Sequence, residues 1–159
     1  MKVSIYTDGS SRGNPGPGGY GVVLLSEQGH KKELAAGFRK TTNNRMELLS
    51  VIVALESIKD PTAEVTVFSD SKYVVDAINK GWVYNWVRKG FKDKKNPDLW
   101  RRFLALKKPE KLKFEWVKGH DGNKYNERCD RLAVGAALKK DLPPDEGYEN
   151  LSNAGNAMF

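Results

Sequence analysis

Four acidic residues and one histidine are the side chains of this sequence whose types and settings could do chemistry together: Asp8, Glu47, Asp70, Asp130 and His120. Each acid stands where a regular element begins or ends. Asp8 closes the alternating run Val3, Ile5, Thr7, and Asp70 closes a second run from Val65 to Ser69. Glu47 falls in the first turn of a helical stretch, and Asp130 in the first turns of another. Carboxylates brought together repel one another, and the cluster is tolerable only when protons or cations neutralise it. Hard oxygen ligands with room for water suit Mg²⁺ or Mn²⁺. Two such ions, about 3.5–4 Å apart, can hold the attacking and leaving oxygens of a phosphodiester in line. His120 lies between Gly119 and Gly122, in a segment able to move, and an imidazole with a pKa of about 6.5 exchanges protons at neutral pH.

Each acid also has a plainer use. Asp8-Gly9 could be a turn, Asn44 with Glu47 a capping pair, Asp70 a helix N-cap, and Asp130 a solvated helix residue beside a Glu127–Arg131 pair. What raises chemistry above capping is joint placement, and that depends on the elements that carry the acids.

Those elements read as follows. Val3–Thr7, Tyr20–Leu25 and Lys32–Phe38 are strands joined by short connections, which favours an antiparallel meander. The stretch Ser11–Gly19 is a loop by its glycine and proline content. A helix runs from Asn44 to about Lys59, with Leu48, Ile52 and Leu55 on one face widened by Val51 and Ile58, and Asp60-Pro61 ends it. Val65–Ser69 is a fourth strand, followed by a short helix to Asn79 capped by Asp70. Helical signals recur at Val83–Val87 and Pro97–Leu106. Leu112, Phe114 and Trp116 alternate as a fifth strand, and Tyr125–Lys139 is the last helix. Strand–helix–strand units imply parallel pairing by right-handed crossovers. The expected architecture is α/β: a five-stranded mixed sheet, an antiparallel meander plus parallel strands, with helices on both faces. If the first helix is a crossover, Asp8 and Asp70 end neighbouring parallel strands, the edge where open α/β sheets place ligands.

The chain has 159 residues, 39% hydrophobic and 30% charged, which fits one folded domain and argues against wholesale disorder. No window approaches the roughly 18 apolar residues of a membrane helix. The single cysteine, Cys129, excludes an internal disulfide framework and a cysteine-based zinc site, and a reducing cytoplasm is the default compartment. Cys129 reads as a small buried residue, since no base pairs with it. The net charge is +7, and it is not evenly spread: Lys80–Lys113 holds twelve basic and three acidic residues, leaving the rest of the chain at −2. Within it, Trp82, Tyr84, Trp86, Arg88, Lys89, Phe91, Lys92, Lys94 and Lys95 interleave rings with cations, as a nucleic-acid contact does. Such a run can equally be a solvated helix face, with Trp82 and Trp86 as core residues at i,i+4. Residues 141–159 carry four acids and no bases and read as a flexible acidic tail, leaving 1–140 as the domain, with a basic protrusion at about 80–95.

Taken together, the motifs resemble bacterial type 1 ribonuclease H. Thr7-Asp8-Gly9-Ser10, the loop Gly13-Asn14-Pro15-Gly16-Pro17-Gly18-Gly19, Thr42-Asn43-Asn44-Arg45-Met46-Glu47-Leu48, Ser69-Asp70-Ser71, Trp116-Val117-Lys118-Gly119-His120 and Asn126-Glu127-Arg128-Cys129-Asp130 occur in that family's order over about residues 3 to 138. The resemblance implies a ribonuclease H-like fold and an endonuclease that hydrolyses the RNA strand of RNA–DNA hybrids, leaving 5′-phosphate and 3′-hydroxyl ends. It implies that Asp8, Glu47, Asp70 and Asp130 hold two Mg²⁺ ions (or Mn²⁺), one activating water and one stabilising the departing oxygen. His120 would assist proton transfer or product departure. Asn14, Asn43 and Asn44 would lie along the groove that senses 2′-hydroxyls, Thr42 would meet a DNA phosphate, and the basic protrusion would grip the DNA strand with Trp82, Trp86, Arg88, Lys89, Lys92, Lys94 and Lys95. The sequence departs from the familiar pattern at Lys72, where glutamine is usual, and at Asn123, where some relatives carry a second loop histidine. The protein is expected to act as a monomer in the cytoplasm, away from membranes. Two alternatives stay open at this level: a related-fold nuclease acting on DNA, and a non-catalytic hybrid-binding module.

Overall fold

The structure is a computed structural model that describes residues 1–119 and 121–150. Five strands, Lys2–Ser11 (β1), Gly16–Ser26 (β2), Lys31–Thr41 (β3), Glu64–Ser69 (β4) and Lys111–Trp116 (β5), form one sheet in the order β3-β2-β1-β4-β5. The first three strands pair antiparallel, while β4 and β5 continue parallel to β1. This is the mixed α/β sheet expected from the element order.

The alternation of β1 is a physical sorting: Val3, Ile5 and Thr7 are buried on one face beneath helix α1 (Asn43–Glu56). The opposite face, from Tyr6 onward, meets helix α5 (Lys124–Ala137). Lys72–Asn79 (α2), Trp82–Arg88 (α3) and Pro97–Ala105 (α4) complete the α1 side, where Leu48, Val51, Ile52, Val65, Val67, Trp100 and Phe103 form the core. Full burial of an aliphatic side chain of this size stabilises by roughly 1.5–3 kcal/mol. Helix α1 is buried almost all round, not on one stripe, because α4 covers the side turned away from the sheet.

Three local readings of the sequence change. The glycine-rich stretch is mostly strand: β1 runs on to Ser11 and β2 starts at Gly16. Gly19, and Gly21 just beyond the stretch, make room for α5. A Cβ on Gly21 would lie 2.3 Å from the Cys129 carbonyl, and one on Gly19 would lie 2.6 Å from that of Ala133. Helix α1 is capped by Thr42, whose hydroxyl accepts from the Arg45 amide, and α2 is capped by Ser71.

The third change concerns the chain after 140. Over 141–150 it is seated on the domain, with a helical turn at 146–150. The Asp145 carboxylate is buried, accepts from Thr41 Oγ1 at 2.7 Å, and pairs bidentately with the buried Arg45 guanidinium at 2.8 and 2.9 Å. The opposite edge of Arg45 grips Asp98 at 2.8 Å twice, and Arg39 grips Glu149 at 3.0–3.1 Å. The expectation of a flexible tail missed this because the partners of Asp145 and Glu149 lie about a hundred residues upstream. Residues 151–159 lie outside the described residues.

Candidate active site

The parallel register of β1 and β4 ends with Thr7 opposite Ser69, so the next residues, Asp8 and Asp70, stand side by side where β4 stops and β1 runs on beside β2, neighbouring strands being about 4.8 Å apart. Gly9 then decides how near α1 can come. A Cβ there would lie 2.3 Å from the Glu47 backbone nitrogen and 2.4 Å from the Met46 carbonyl carbon. With no side chain at Gly9, the helix rests on β1 and Glu47 reaches over the strand end. Asp8 pairs in register with Gly21, the residue over which the Cys129 backbone passes, so the same close approach brings Asp130 to this end of the sheet.

The result is a tight acidic cluster. One carboxylate oxygen from each of Asp8, Glu47 and Asp70 lies within 4.8 Å of the others, and Asp130 lines the same cleft. Asp8 and Glu47 are buried, while Asp70 and Asp130 are partly exposed. Burial pushes the Asp8 carboxyl up to about 7; its contact with Glu47 and the Gly9 amide pull it back, while the charges of Asp70 and Asp130 push it further up. Burial, followed by the charge of Asp8, holds Glu47 well above the usual carboxylate range. Glu47 Oε2 is buried with no hydrogen-bond partner. An orphaned buried acceptor is costly, and an unpaired buried anion far more so. A hard cation among these oxygens would satisfy that atom and relieve the repulsion, so the donor set fits a divalent ion of the Mg²⁺ class.

Neither Glu47 nor Asp70 serves as a helix cap, since Thr42 and Ser71 hold those places. Asp8 lies inside a strand and not in a turn. The plainer uses of these three acids are thereby removed. Asn123 caps α5, accepting from the amides of Tyr125 and Asn126 at 3.0 Å. His120 lies outside the described residues.

All the expected contact residues except Arg88 line the cleft or the grooves that adjoin it. Asn43 and Asn44 line the acidic cleft. Asn14 Oδ1 accepts from the Asn43 amide at 3.1 Å, fixing that loop against the start of α1. From Asn44 a groove leads past Tyr73 to Trp82, Trp86, Lys94 and Lys95, and Lys89 and Lys92 flank the two tryptophans beyond. A second branch from Asn44 passes Asn14 and Thr42 and returns to Lys94 and Lys95. Trp82 is 43% exposed, available to a ligand, whereas Trp86 packs edge-on against Trp100 and carries the Lys94 ammonium 5.2 Å from its ring. Arg88 bonds Asn85 on its own helix and is not among the residues lining these grooves.

Tyr73 was not singled out from the sequence, and Trp116 was named only in the fifth strand and in the Trp116–His120 motif. Trp116 Nε1 donates to the Asp70 carbonyl at 3.0 Å, and the Lys72 ammonium lies 4.8 Å from the Trp116 ring. Tyr73, three residues past Asp70 on α2, was signalled only by that spacing; its hydroxyl accepts from Trp100 Nε1 at 2.8 Å.

Comparison with known proteins places this arrangement among relatives. The RNase H family profile matches residues 1–138. A protein named Ribonuclease H from Desulforamulus reducens is 56% identical over 149 residues, covering 91% of this chain and 92% of its own. Another of that name from Trichodesmium erythraeum is 51% identical over 153 residues, covering 93% and 96%. Among solved structures, LC9-RNase H1, described as a type 1 RNase H with the type 2 active-site motif, superposes with a TM-score of 0.73 at 34% identity, over 86% of this chain and 72% of that one. LC11-RNase H1, solved in complex with RNA/DNA hybrid, gives 0.61 at 31% identity, over 85% and 96%.

Proposed function

The chain belongs to the RNase H family, and on that premise we propose that it is an endonuclease that hydrolyses the RNA strand of RNA–DNA hybrids, leaving 5′-phosphate and 3′-hydroxyl ends. The observation that carries this reading is the convergence of Asp8, Glu47 and Asp70 within 4.8 Å, with Asp130 on the same cleft and a basic, aromatic-lined groove running from it. The four carboxylates would hold Mg²⁺, two ions in the fullest arrangement, with Mn²⁺ as an alternative of the same class. When bound, such ions supply an activated water and neutralise the charge developing on the leaving oxygen. Asp8 and Glu47, both held toward their neutral forms by burial, give up their protons as the site is charged.

The remaining groups bind and orient. Asn14, Asn43 and Asn44 present amides beside the carboxylates, where a 2′-hydroxyl can both donate and accept. Thr42 and Lys94 with Lys95 face a strand's phosphates, and Trp82 offers a ring for a sugar or base. His120 serves as the proton-shuttling group of the site. Every carboxylate comes from one chain, which fits action as a monomer, and the lone buried Cys129 suits the cytoplasm.

The test is cleavage of an end-labelled hybrid and of duplex DNA, with Mg²⁺, with Mn²⁺ and with chelator. Hybrid-specific, metal-dependent cleavage is expected. Asp70→Asn should abolish cleavage while hybrid binding in chelator persists. Full activity of Asp70→Asn, or preferential cutting of duplex DNA, refutes the assignment.

A further inference from the structure

The groove that begins at the carboxylates does not stop at the basic protrusion. Its branch past Asn14, Thr42, Lys94 and Lys95 ends on Tyr148, a half-buried residue of the segment after the last long helix. Nothing in the chemistry described above uses that residue, yet the segment that carries it is held in place by several contacts.

Asp145 starts the turn. Its carboxylate accepts from the Tyr148 amide at 3.3 Å, from Thr41 at 2.7 Å and from Arg45 at 2.8 and 2.9 Å. Its carbonyl accepts from the Glu149 amide at 2.9 Å. Gly147 lies flat on the ion pair beneath: a Cβ there would be 2.1 Å from Asp98 Oδ2 and 2.8 Å from Arg45 Nη2. Glu149 is tied to Arg39 on β3. Of the acids flanking Tyr148, Glu149 pairs with Arg39, and Asp145 pairs with Arg45, which it shares with Asp98. The same Arg45 that holds Asp145 belongs to the first turns of α1, between Asn44 and Glu47. The segment 145–149 and the amide-bearing helix start are therefore joined through one side chain.

We propose that Tyr148 is a substrate-contact residue, a ring and hydroxyl that receive the sugar–phosphate backbone of the strand gripped by Thr42, Lys94 and Lys95, and that Asp145 is its positioning residue. This deepens the reading given under Proposed function and rests on it. An aromatic side chain beside two lysines and a threonine suits a nucleic-acid backbone: cations meet the phosphate while the ring packs on the ribose or deoxyribose.

The experiment compares the full chain with Tyr148→Ala and Tyr148→Phe, using a fluorescent RNA–DNA hybrid. Affinity is read by anisotropy in chelator, and KM and kcat by cleavage with Mg²⁺, below the unfolding temperature of every variant. Tyr148→Ala should raise Kd and KM together by about fivefold or more, the lower end of what one ring contact contributes, with kcat unchanged, and Tyr148→Phe should recover most of the loss. Kd and KM equal to wild type, or a fall in kcat with KM unchanged, overturns the role of Tyr148 while leaving the nuclease reading intact. A wild-type chain that neither binds nor cuts the hybrid overturns the nuclease reading itself, and this inference with it.

Discussion

Replacing Asp8 by asparagine should stabilise the metal-free protein while destroying its activity. Asp8 is buried beside Glu47, and its pKa is pushed from 3.8 up to about 7. An acid whose folded pKa exceeds its unfolded pKa takes up a proton on folding at any pH between the two, so stability falls as pH rises through about 4 to 7 and stays low above it. The full gap corresponds to about 4 kcal/mol, at about 1.36 kcal/mol per pH unit. Local relaxation and the shared contact with Glu47 absorb part of this, so we expect Asp8→Asn to gain about 2 kcal/mol at pH 8 in chelator. For a chain of this size that is roughly 4–8 °C in Tm. The acids held below the usual range, Glu33, Asp60, Glu64 and Asp98, act in the opposite sense, but their contribution is lost only below about pH 4, outside the window. Thermal unfolding of wild type and Asp8→Asn in chelator at pH 5.5 and pH 8 measures the effect. Mg²⁺ should then raise the wild-type Tm at pH 8 and move the variant much less, because a ligand stabilises only the state that binds it. A variant no more stable than wild type at pH 8, with wild-type stability level across the two pH values, would refute the account of a self-repelling cluster.

Other outcomes follow from the same geometry. Gly9→Ala sets a Cβ against the Met46–Glu47 backbone and should cost about 2 kcal/mol or more, with loss of hybrid cleavage, measured by urea unfolding and gel assay. Converting Lys92, Lys94 and Lys95 to glutamine should weaken hybrid binding and flatten its salt dependence by about two to three in log–log slope; unchanged affinity across a salt titration counts against the protrusion as a contact. Arg45→Ala leaves Asp145 buried without its partner and should lower stability by about 3–5 kcal/mol at pH 7, read from denaturant midpoints.

Much of this architecture is legible in the residues, for reasons that can be named. Period-two alternation marks β1, β4 and β5 because in each strand every second residue is the more deeply buried, and the order of elements then fixes which strand ends meet. Asp8 and Asp70 could thus be brought together on paper. The capping assignments were less legible. Thr42, Asn43 and Asn44 are all good caps by type, and residue type alone does not select Thr42, whose hydroxyl accepts from the Arg45 amide. The glycine-rich stretch misleads for a related reason: absence of a side chain signals a turn in isolation, but at Gly19 and Gly21 it signals a neighbour a few ångströms away. The last seated segment was the least legible. Its acids look like solvent-exposed charge until Arg39 and Arg45 arrive from far upstream.

The clamp on Arg45 has a consequence for the order in which the molecule is made. Asp145 is separated from Arg45 by a hundred positions, so a nascent chain that has already emerged as far as the last parallel strand carries Asp8, Glu47 and Asp70 but has no Asp145 to offer the guanidinium. Ribosomal synthesis therefore delivers the metal-type triad first and its mechanical brace last, and the two become a single object only when the polypeptide has grown past its final long helix.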